Sequence, residues 1–216
     1  MTSLPLRRLI VPVLAMTFVV VASNILVQYP FEPFGLGDYL TWGAFTYPVA
    51  FLVTDLTNRR YGPRVARQLV VAGFAVAVVL SIWLATPRIA LASGTAFLVG
   101  QLLDITVFNR LRRQAWWRAP FVGSVIGSAL DTILFFSLAF AAIFPQFLDV
   151  ALQTNPDDLS YMAEAVSVAG QMVLRWQSLA IFDFSVKMLV ALIALLPYGA
   201  LMSVILPMER AEKTAG

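Results

Sequence analysis

Long apolar runs separated by short polar segments dominate the chain. Five runs reach or approach the roughly 20 residues that a helix needs to cross about 30 Å of hydrocarbon. They cover residues 9–27, 68–85, 89–108, 119–144 and 178–206. A sixth run, residues 39–56, is shorter and contains Pro48. Because proline removes a helix hydrogen bond and bends the chain, we expect this span to be irregular in its outer half.

The positive charges set the orientation of these spans, because cytoplasmic loops keep Lys and Arg. With the N-terminus in the cytoplasm, twelve basic residues fall in cytoplasmic segments, whereas only Arg88 and Arg175 fall outside. The first run could instead be a secretory signal, but the remaining five helices would then have the wrong charge bias. The pattern predicts an all-α integral membrane protein of the cell inner membrane. It forms one multi-pass transmembrane domain, residues 1–216, a six-transmembrane-helix bundle with cytoplasmic N- and C-termini.

The longest connection, residues 145–176, contains apolar residues at steps of three and four, which is typical of a helix. These residues are Leu159, Met162, Val166, Ala169, Val173 and Trp176. Asn155 could cap the helix, with Pro156 at its first position. We therefore expect an extra outer amphipathic helix around 156–175, either resting on the bundle or acting as a gating lid.

Composition narrows the chemistry. Hydrophobic residues make up 60% of the chain and charged residues 12%, whereas a soluble domain has roughly 25% charged residues. The chain has neither Cys nor His, which excludes disulfides, Cys or His zinc sites and haem ligation, and we expect no cofactor or metal. The basic residues form no continuous face, so we expect the lipid bilayer and no nucleic acid as a partner. The oligomeric state stays open.

Besides Asp55, at the end of the sixth run, four charged residues lie within the apolar runs: Asp104, Asp131, Asp183 and Lys187. Each costs about 2.5 to 3.5 kcal/mol to insert, so each needs a structural or functional reason. Counting 1.5 Å per residue places Asp131 and Lys187 near the midplane, where they could pair. Asp104 lies nearer the cytoplasmic end of its span, and Asp183 lies near the outer end of the last one. The alternative is a packing network, such as Asp183 with Lys187 at i and i+4.

Two of these acids lie in similar segments. GQLLDITVF (100–108) and GSALDTILF (127–135) both read G-x-x-L-D-x-x-x-F, and they run in opposite directions through the membrane. An inverted pair of this kind can line one cavity.

A carboxylate can accept two parallel hydrogen bonds from a planar heterocycle, and aromatic rings can stack on such a heterocycle. Further amide and ring contacts could come from Asn24, Gln28, Gln101, Trp42, Phe45, Tyr47 and Phe135.

YPVAFLVTDLTNRRYGPRVAR (47–67) strongly resembles the signature segment of the queuosine precursor transporter family, also called the vitamin uptake transporter family. DITVFNRLRR (104–113), WWR (116–118), SVIGSALDTILFFSLAF (124–140) and DFSVKMLVALIALLPYG (183–199) are similar to that family in the same order. The resemblance implies import of 7-cyano-7-deazaguanine, and with it the aminomethyl form or queuine, as precursors for tRNA modification.

The resemblance thus implies a deazaguanine base as the substrate. The residues that the resemblance and the buried polar groups together indicate as substrate-binding are Asn24, Gln101, Asp104, Ser128, Asp131, Thr132, Asp183 and Lys187. A second group marks the cytoplasmic end of the second span: Asp55, Asn58, Arg59 and Arg60. For Arg59 and Arg60 a cytoplasmic anchor is the simpler role.

Other functions remain open at this stage. One alternative is the substrate-binding subunit of an ATP-energised vitamin or nucleobase importer. The sequence has no G-x-x-x-x-G-K-[ST] loop, so a partner would have to hydrolyse the ATP in that case. Facilitated diffusion and proton coupling through an Asp are the other options. A remote alternative is an intramembrane aspartyl protease, although the one G-x-G-D match, residues 35–38, lies in a connection and not within an apolar run. The last alternative is a purely structural scaffold, which predicts that Asp131→Asn leaves transport intact.

Overall fold

The computed structural model describes residues 6–141, 160–168 and 170–205. The helices within these residues are α1 (Leu6–Leu26), α2 (Gly43–Thr46), α3 (Val49–Tyr61), α4 (Pro63–Leu84), α5 (Pro87–Leu111), α6 (Arg118–Phe140) and α7 (Arg175–Ile205). Two short 3-10 turns, Pro33–Gly35 and Ser160–Ala163, and two strands, β1 (Ala165–Val168) and β2 (Gln171–Leu174), complete the described elements.

Five of the described helices, α1, α4, α5, α6 and α7, are long and apolar enough to cross a membrane. They fall on the five long apolar runs, although residues 142–144 and 206 of the predicted spans lie outside the described residues. Large apolar side chains cover their outer surfaces, such as Phe18 (74% exposed), Trp83 (85%) and Leu196 (76%). Such a continuous apolar surface suits lipid and not water.

The shorter run, residues 39–56, is broken at Pro48 as the sequence predicts. α2 has only four residues, and α3 begins at Val49, directly after the proline. The helix extends beyond Leu56, the end of the apolar run, because α3 continues to Tyr61 and stops only where Gly62 (φ 86°) turns the chain into α4. The five extra residues place Asp55 in the body of a helix instead of at its end.

α3 is the central helix, since it contacts α1, α4, α5, α6 and α7. Beside it, the antiparallel helices α5 and α6 touch backbone to backbone. A Cβ atom added to Gly100 would lie 3.0 Å from the carbonyl oxygen of Gly127, and one added to Gly127 would lie 3.0 Å from that of Gly100. Small residues at a crossing allow this approach in a membrane, where close packing replaces the hydrophobic effect.

The bundle has two ends, which we name by their contents. The arginine side contains the α3–α4 and α5–α6 connections, with Arg60, Arg64, Arg112, Arg113 and Arg118. The hairpin side contains the α1–α2 and α4–α5 connections and the strand pair that precedes α7. The charge difference between the two sides matches the basic segregation that the sequence predicts.

The expected amphipathic helix around 156–175 is wrong over most of its described part. β1 and β2 pair antiparallel from Ala165 with Leu174 to Val168 with Gln171, so a hairpin replaces the helix. Gly170 has φ 82°, a left-handed conformation that suits the tight turn. The backbone N–H of Arg175 donates to Glu164 O (2.8 Å) and closes the open end. The proposed cap at Asn155, Pro156 and the residues to 159 lie outside the described residues.

Candidate functional site

The centre of the site is Lys187 on α7, which joins two carboxylates. Its Nζ lies 2.7 Å from Asp131 Oδ2 on α6 and 2.5 Å from Asp183 Oδ2 one turn earlier on α7. The pairing of Asp131 with Lys187, expected from depth alone, is confirmed, and so is the i, i+4 contact of Asp183 with Lys187. The Lys187 and Asp131 side chains are almost fully buried, whereas Asp183 keeps 17% of its side-chain surface exposed.

Two hydroxyl groups hold this cluster in place. The Tyr47 hydroxyl donates to Asp131 Oδ1 (3.2 Å), and the Thr132 hydroxyl donates to Asp183 Oδ2 (2.9 Å) while accepting from Lys187 (3.0 Å). Both Asp131 oxygens are therefore engaged, but the contacts of Asp183 all fall on Oδ2. Two ionised carboxylates and one ammonium leave a net negative charge, and Asp183 Oδ1 remains as an acceptor for a ligand.

A cavity of about 320 Å³ opens from this cluster toward the hairpin side. A volume of this order is what ligand sites of small organic molecules have, at roughly 300 Å³ and above. Aromatic residues form much of its wall: Tyr39, Tyr47, Phe135, Phe136 and Phe140. Small polar groups complete it: Ser23, Asn24, Thr41 and Ser93. The cavity thus offers flat stacking surfaces beside a buried, negatively charged acceptor, which suits a planar ligand with N–H donors.

On the other side of Lys187 the bundle is nearly closed. A crevice of about 10 Å³, enough for about one water molecule, lies between α3, α6 and α7. Lys187, Ser128, Ser124 and Asp55 line it, together with Tyr198. Toward the arginine side, the rings of Phe108 and the completely buried Tyr198 meet edge to face, 6.5 Å between centroids. The structure is therefore open toward the hairpin side and shut toward the arginine side.

A second acidic cluster lies between α3 and α5. The carboxyl groups of Asp55 and Asp104 are within hydrogen-bonding reach of each other, at 2% and 0% exposure. Asn58 is also fully buried, and its Nδ2 donates to Ile105 O (3.3 Å). Asp55 Oδ1, Asn58 Oδ1 and both oxygens of Asp104 lack a hydrogen-bond partner among the described residues. Asp104 is thus closed off here from the cytoplasmic access that its sequence position suggests.

The repeated segments of α5 and α6 meet as an inverted pair. An added Cβ on Gly100 would lie 3.0 Å from Asp131 Cβ, and one on Gly127 would lie 3.0 Å from Asp104 Cβ. Each glycine therefore packs against the aspartate of the opposite repeat. The repeat predicted from the sequence corresponds to a real symmetric contact, but its two aspartates face different partners instead of one shared cavity.

The predicted site residues divide into three groups. Asn24, Asp131, Asp183 and Lys187 line the cavity, and Thr132 supports two of them. Ser128 lines the crevice. Gln101 and Asp104 are fully buried and do not line the cavity, and both amide atoms of Gln101 lack a partner among the described residues.

The group expected at the end of the second span also divides. Asp55 and Asn58 are buried in the interior, whereas Arg59 and Arg60 are half-buried at the arginine side.

Sequence reasoning underestimated Tyr47. It counted this residue among several rings, yet the hydroxyl contacts Asp131 and the ring lies 5.5 Å from Lys187 Nζ. A tyrosine next to Pro48, at the break of a span, carries a polar group to mid-membrane depth, which is a usable signal. Ser23 and Ser93, on α1 and α5, were not identified because a serine in an apolar helix has no distinguishing pattern.

Comparison with known proteins assigns the chain to a protein family. Residues 41–86 and 81–202 match the protein family described as "Putative vitamin uptake transporter". The chain belongs to this family. The vitamin uptake transporter family consists of transporters and not enzymes, so the aspartyl protease alternative is wrong. Consistent with this, Asp104 and Asp131 do not form one dyad, since each pairs with a different residue.

Curated relatives within the family span most of the chain. The queuosine precursor transporter of Escherichia coli (strain K12) is 35% identical over 87% of this chain and 83% of its own length. The probable queuosine precursor transporter of Haemophilus influenzae is 34% identical over 88% of this chain and 84% of its own. A third, of Bacillus subtilis (strain 168), is 30% identical over 59% of this chain and 67% of its own. No solved structure matches the chain.

Proposed function

We propose that this protein imports queuosine precursors across the cell inner membrane, with 7-cyano-7-deazaguanine as its main substrate. The single observation that carries this proposal is the acid-rich, aromatic-walled cavity in a chain whose relatives are named queuosine precursor transporters. The aminomethyl form and queuine are the other candidate forms, and their bulkier 7-substituents would occupy more of the same cavity.

The chemistry of a deazaguanine matches the cavity. Its guanine-like edge carries a ring N–H and an exocyclic amine side by side, and a carboxylate oxygen with free lone pairs accepts hydrogen bonds from such donors. Asp183, the least buried acid of the cluster, is the proposed acceptor through Oδ1, because Lys187 and Thr132 occupy Oδ2. Phe135 and Tyr39 lie on the cavity wall, where rings stack on a planar base.

Asp131 and Lys187 form the proposed base of this site. Asp131 fixes Lys187 and Tyr47, so that the charge pattern facing the substrate is set before it binds. Asn24, on α1, forms part of the cavity wall. Its Oδ1 accepts a hydrogen bond from the Ser81 hydroxyl (3.4 Å), and its Nδ2 donates to Val20 O (2.8 Å). Preorganised polar groups of this kind lower the cost of ordering the site on binding.

We also propose six spans with both termini in the cytoplasm, with α2 and α3 together forming the second. The arginine side then faces the cytoplasm, because that side keeps the positive charge. The cavity opens to the opposite side, from which an imported base would arrive. The structure corresponds to an outward-open state, and the closed crevice marks the route that must open for release.

The substrate assignment is tested in cells that lack their own precursor synthesis. Low external 7-cyano-7-deazaguanine should give queuosine-modified tRNA only when this protein is expressed. Asp131→Asn should abolish the gain, whereas the control Ser185→Ala should keep it, because Ser185 is on the exposed face of α7. No gain of modification with the unaltered protein, at verified expression, would overturn the assignment.

A further inference from the structure

The Asp55–Asp104 pair is unlike the cluster around Lys187 because it contains no cation. The titratable groups around it are Arg59 on α3, Arg112 after α5, and Tyr198 and Lys187 on α7. Arg59 lies beside Tyr198, and Lys187 is already joined to Asp131 and Asp183. Two carboxylates in contact at such burial cannot both stay ionised, since like charges at this distance repel strongly away from water.

The surrounding acceptors strengthen this conclusion. Asn58 reaches across to Ile105 O, one residue from Asp104, and its own Oδ1 lacks a partner among the described residues. With Asp55 Oδ1 and both Asp104 oxygens, four buried oxygen atoms lack a donor. A proton on one carboxyl group supplies a donor to an oxygen of the other carboxyl group and removes the repulsion between two buried charges.

We propose that Asp55 and Asp104 are the proton-binding site that couples solute import to the proton gradient. This inference rests on the proposed function, since coupling presumes a carried solute. On the outward-open side, an O–H bond forms between an arriving proton and one carboxylate of the pair. On the cytoplasmic side, that O–H bond breaks and the proton passes to water, which leaves the pair ready for another cycle.

The crevice provides a route between the two clusters. Lys187 lines both the cavity and the crevice, and Asp55 lines the crevice. The hydroxyl groups of Ser124 and Ser128, on α6, line the crevice as well. Its volume of about 10 Å³ holds about one water, so hydroxyl groups and one water can relay a proton toward the pair. Tyr198 and Phe108 close the far end in this state. The pair can therefore gain its proton from one side and release it only after the arginine side opens.

The test uses the purified full chain in liposomes with labelled 7-cyano-7-deazaguanine. With an acidic exterior, the unaltered protein should accumulate the base above the outside concentration, and a protonophore should abolish this accumulation. Asp104→Asn and Asp55→Asn should still exchange internal for external base, but their accumulation should fall to simple equilibration. Exchange also reports that the variants are folded. Thr106→Val, on the exposed face of α5, is the matched control and should accumulate normally.

Accumulation by Asp104→Asn and Asp55→Asn at the level of the unaltered protein would overturn the proton site. Accumulation that follows a sodium gradient, or loss of exchange together with accumulation, would also overturn it. Unaltered protein that neither exchanges nor accumulates the base would overturn the substrate assignment and the coupling together. The substrate assignment survives the first three results, so failure of the proton site and failure of the substrate assignment are distinguishable.

Discussion

The Asp131 and Asp104 clusters begin from nearly the same sequence and become different sites. Both aspartates follow G-x-x-L, and each packs against the glycine of the opposite repeat. Asp131 meets Lys187 and Tyr47 beside a cavity of about 320 Å³. Asp104 meets Asp55, in a region where the crevice has about 10 Å³. The repeat fixes where the acids lie, and the neighbouring helices decide what they can do.

The partners of the two aspartates carry opposite types of charged group. α7 brings an ammonium group to Asp131, so this acid can stay ionised and organise a polar site open to a solute. α3 brings a second carboxyl group to Asp104, and two carboxylates in contact at this burial cannot both stay ionised. On our proposal, a single inverted motif supplies both a substrate site and a coupling site, on opposite sides of one glycine crossing.

The largest expected effect comes from removing the cation of the Asp131 cluster. Lys187→Met leaves Asp131 buried without its partner and should lower the free energy of unfolding by about 3 to 5 kcal/mol. Thermal unfolding in detergent measures the loss. The double variant Lys187→Met, Asp131→Leu should regain most of the stability but no substrate binding, because a buried pair can be replaced by apolar residues. A single variant as stable as the unaltered protein would mean that the pair is not buried as described.

A smaller loss should follow from closing the glycine crossing on which both clusters depend. In Gly127→Ala the new Cβ lies 2.8 Å from the Phe51 ring and 3.0 Å from Gly100 O, so α5 and α6 must separate. We expect a cost of about 1 to 3 kcal/mol in the same unfolding assay. Gly199→Ala is the control, since its Cβ first meets the movable Trp116 side chain at 3.2 Å. Equal melting temperatures for the two variants would contradict a crossing held by Gly127.

The smallest effect should separate the two clusters most finely. Tyr47→Phe removes one hydrogen bond to Asp131 and leaves the Asp104 cluster untouched. We expect about fivefold weaker substrate binding, which corresponds to roughly 1 kcal/mol, with accumulation still driven by protons. Equilibrium binding and the liposome assay measure these two quantities. Tyr29→Phe, at an exposed position, should change neither. Loss of coupling in Tyr47→Phe would show that the two clusters are not separable.

Much of this arrangement follows from the sequence, because lipid imposes strict rules. Spans need length and few charges, so the long apolar runs identify α1, α4, α5, α6 and α7. A proline in a short run predicts the break before α3, and equal depth predicts the Asp131–Lys187 pair. These inferences depend only on length, charge and depth along a straight helix.

The Asp55–Asp104 contact could not be predicted in this way. The apolar run ends at Leu56, so Asp55 was expected near the surface, whereas α3 continues to Tyr61 and carries it inside. Polar residues such as Thr57 and Asn58 are buried here because α3 is surrounded by other helices and not by lipid. Hydropathy reports on contact with lipid, and it fails for a central helix.

The hairpin was missed for a different reason. Apolar residues at steps of three and four fit a helix, but Val166, Val168 and Val173 are β-branched and favour strands. Gly170 lies between two four-residue runs separated by two positions, which is a hairpin signal. Spacing alone does not distinguish the two structures in so short a segment.

The most direct test of the account is equilibrium binding of 7-cyano-7-deazaguanine to purified protein, compared for the unaltered chain, Asp131→Asn and Asp104→Asn. The two substitutions are chemically identical and lie in equivalent positions of the repeat. We expect Asp131→Asn to weaken binding at least about tenfold, or roughly 1.4 kcal/mol, and Asp104→Asn to bind nearly as well as the unaltered protein. Equal affinity in all three proteins, or equal loss in both variants, would contradict the division into a substrate site and a proton site.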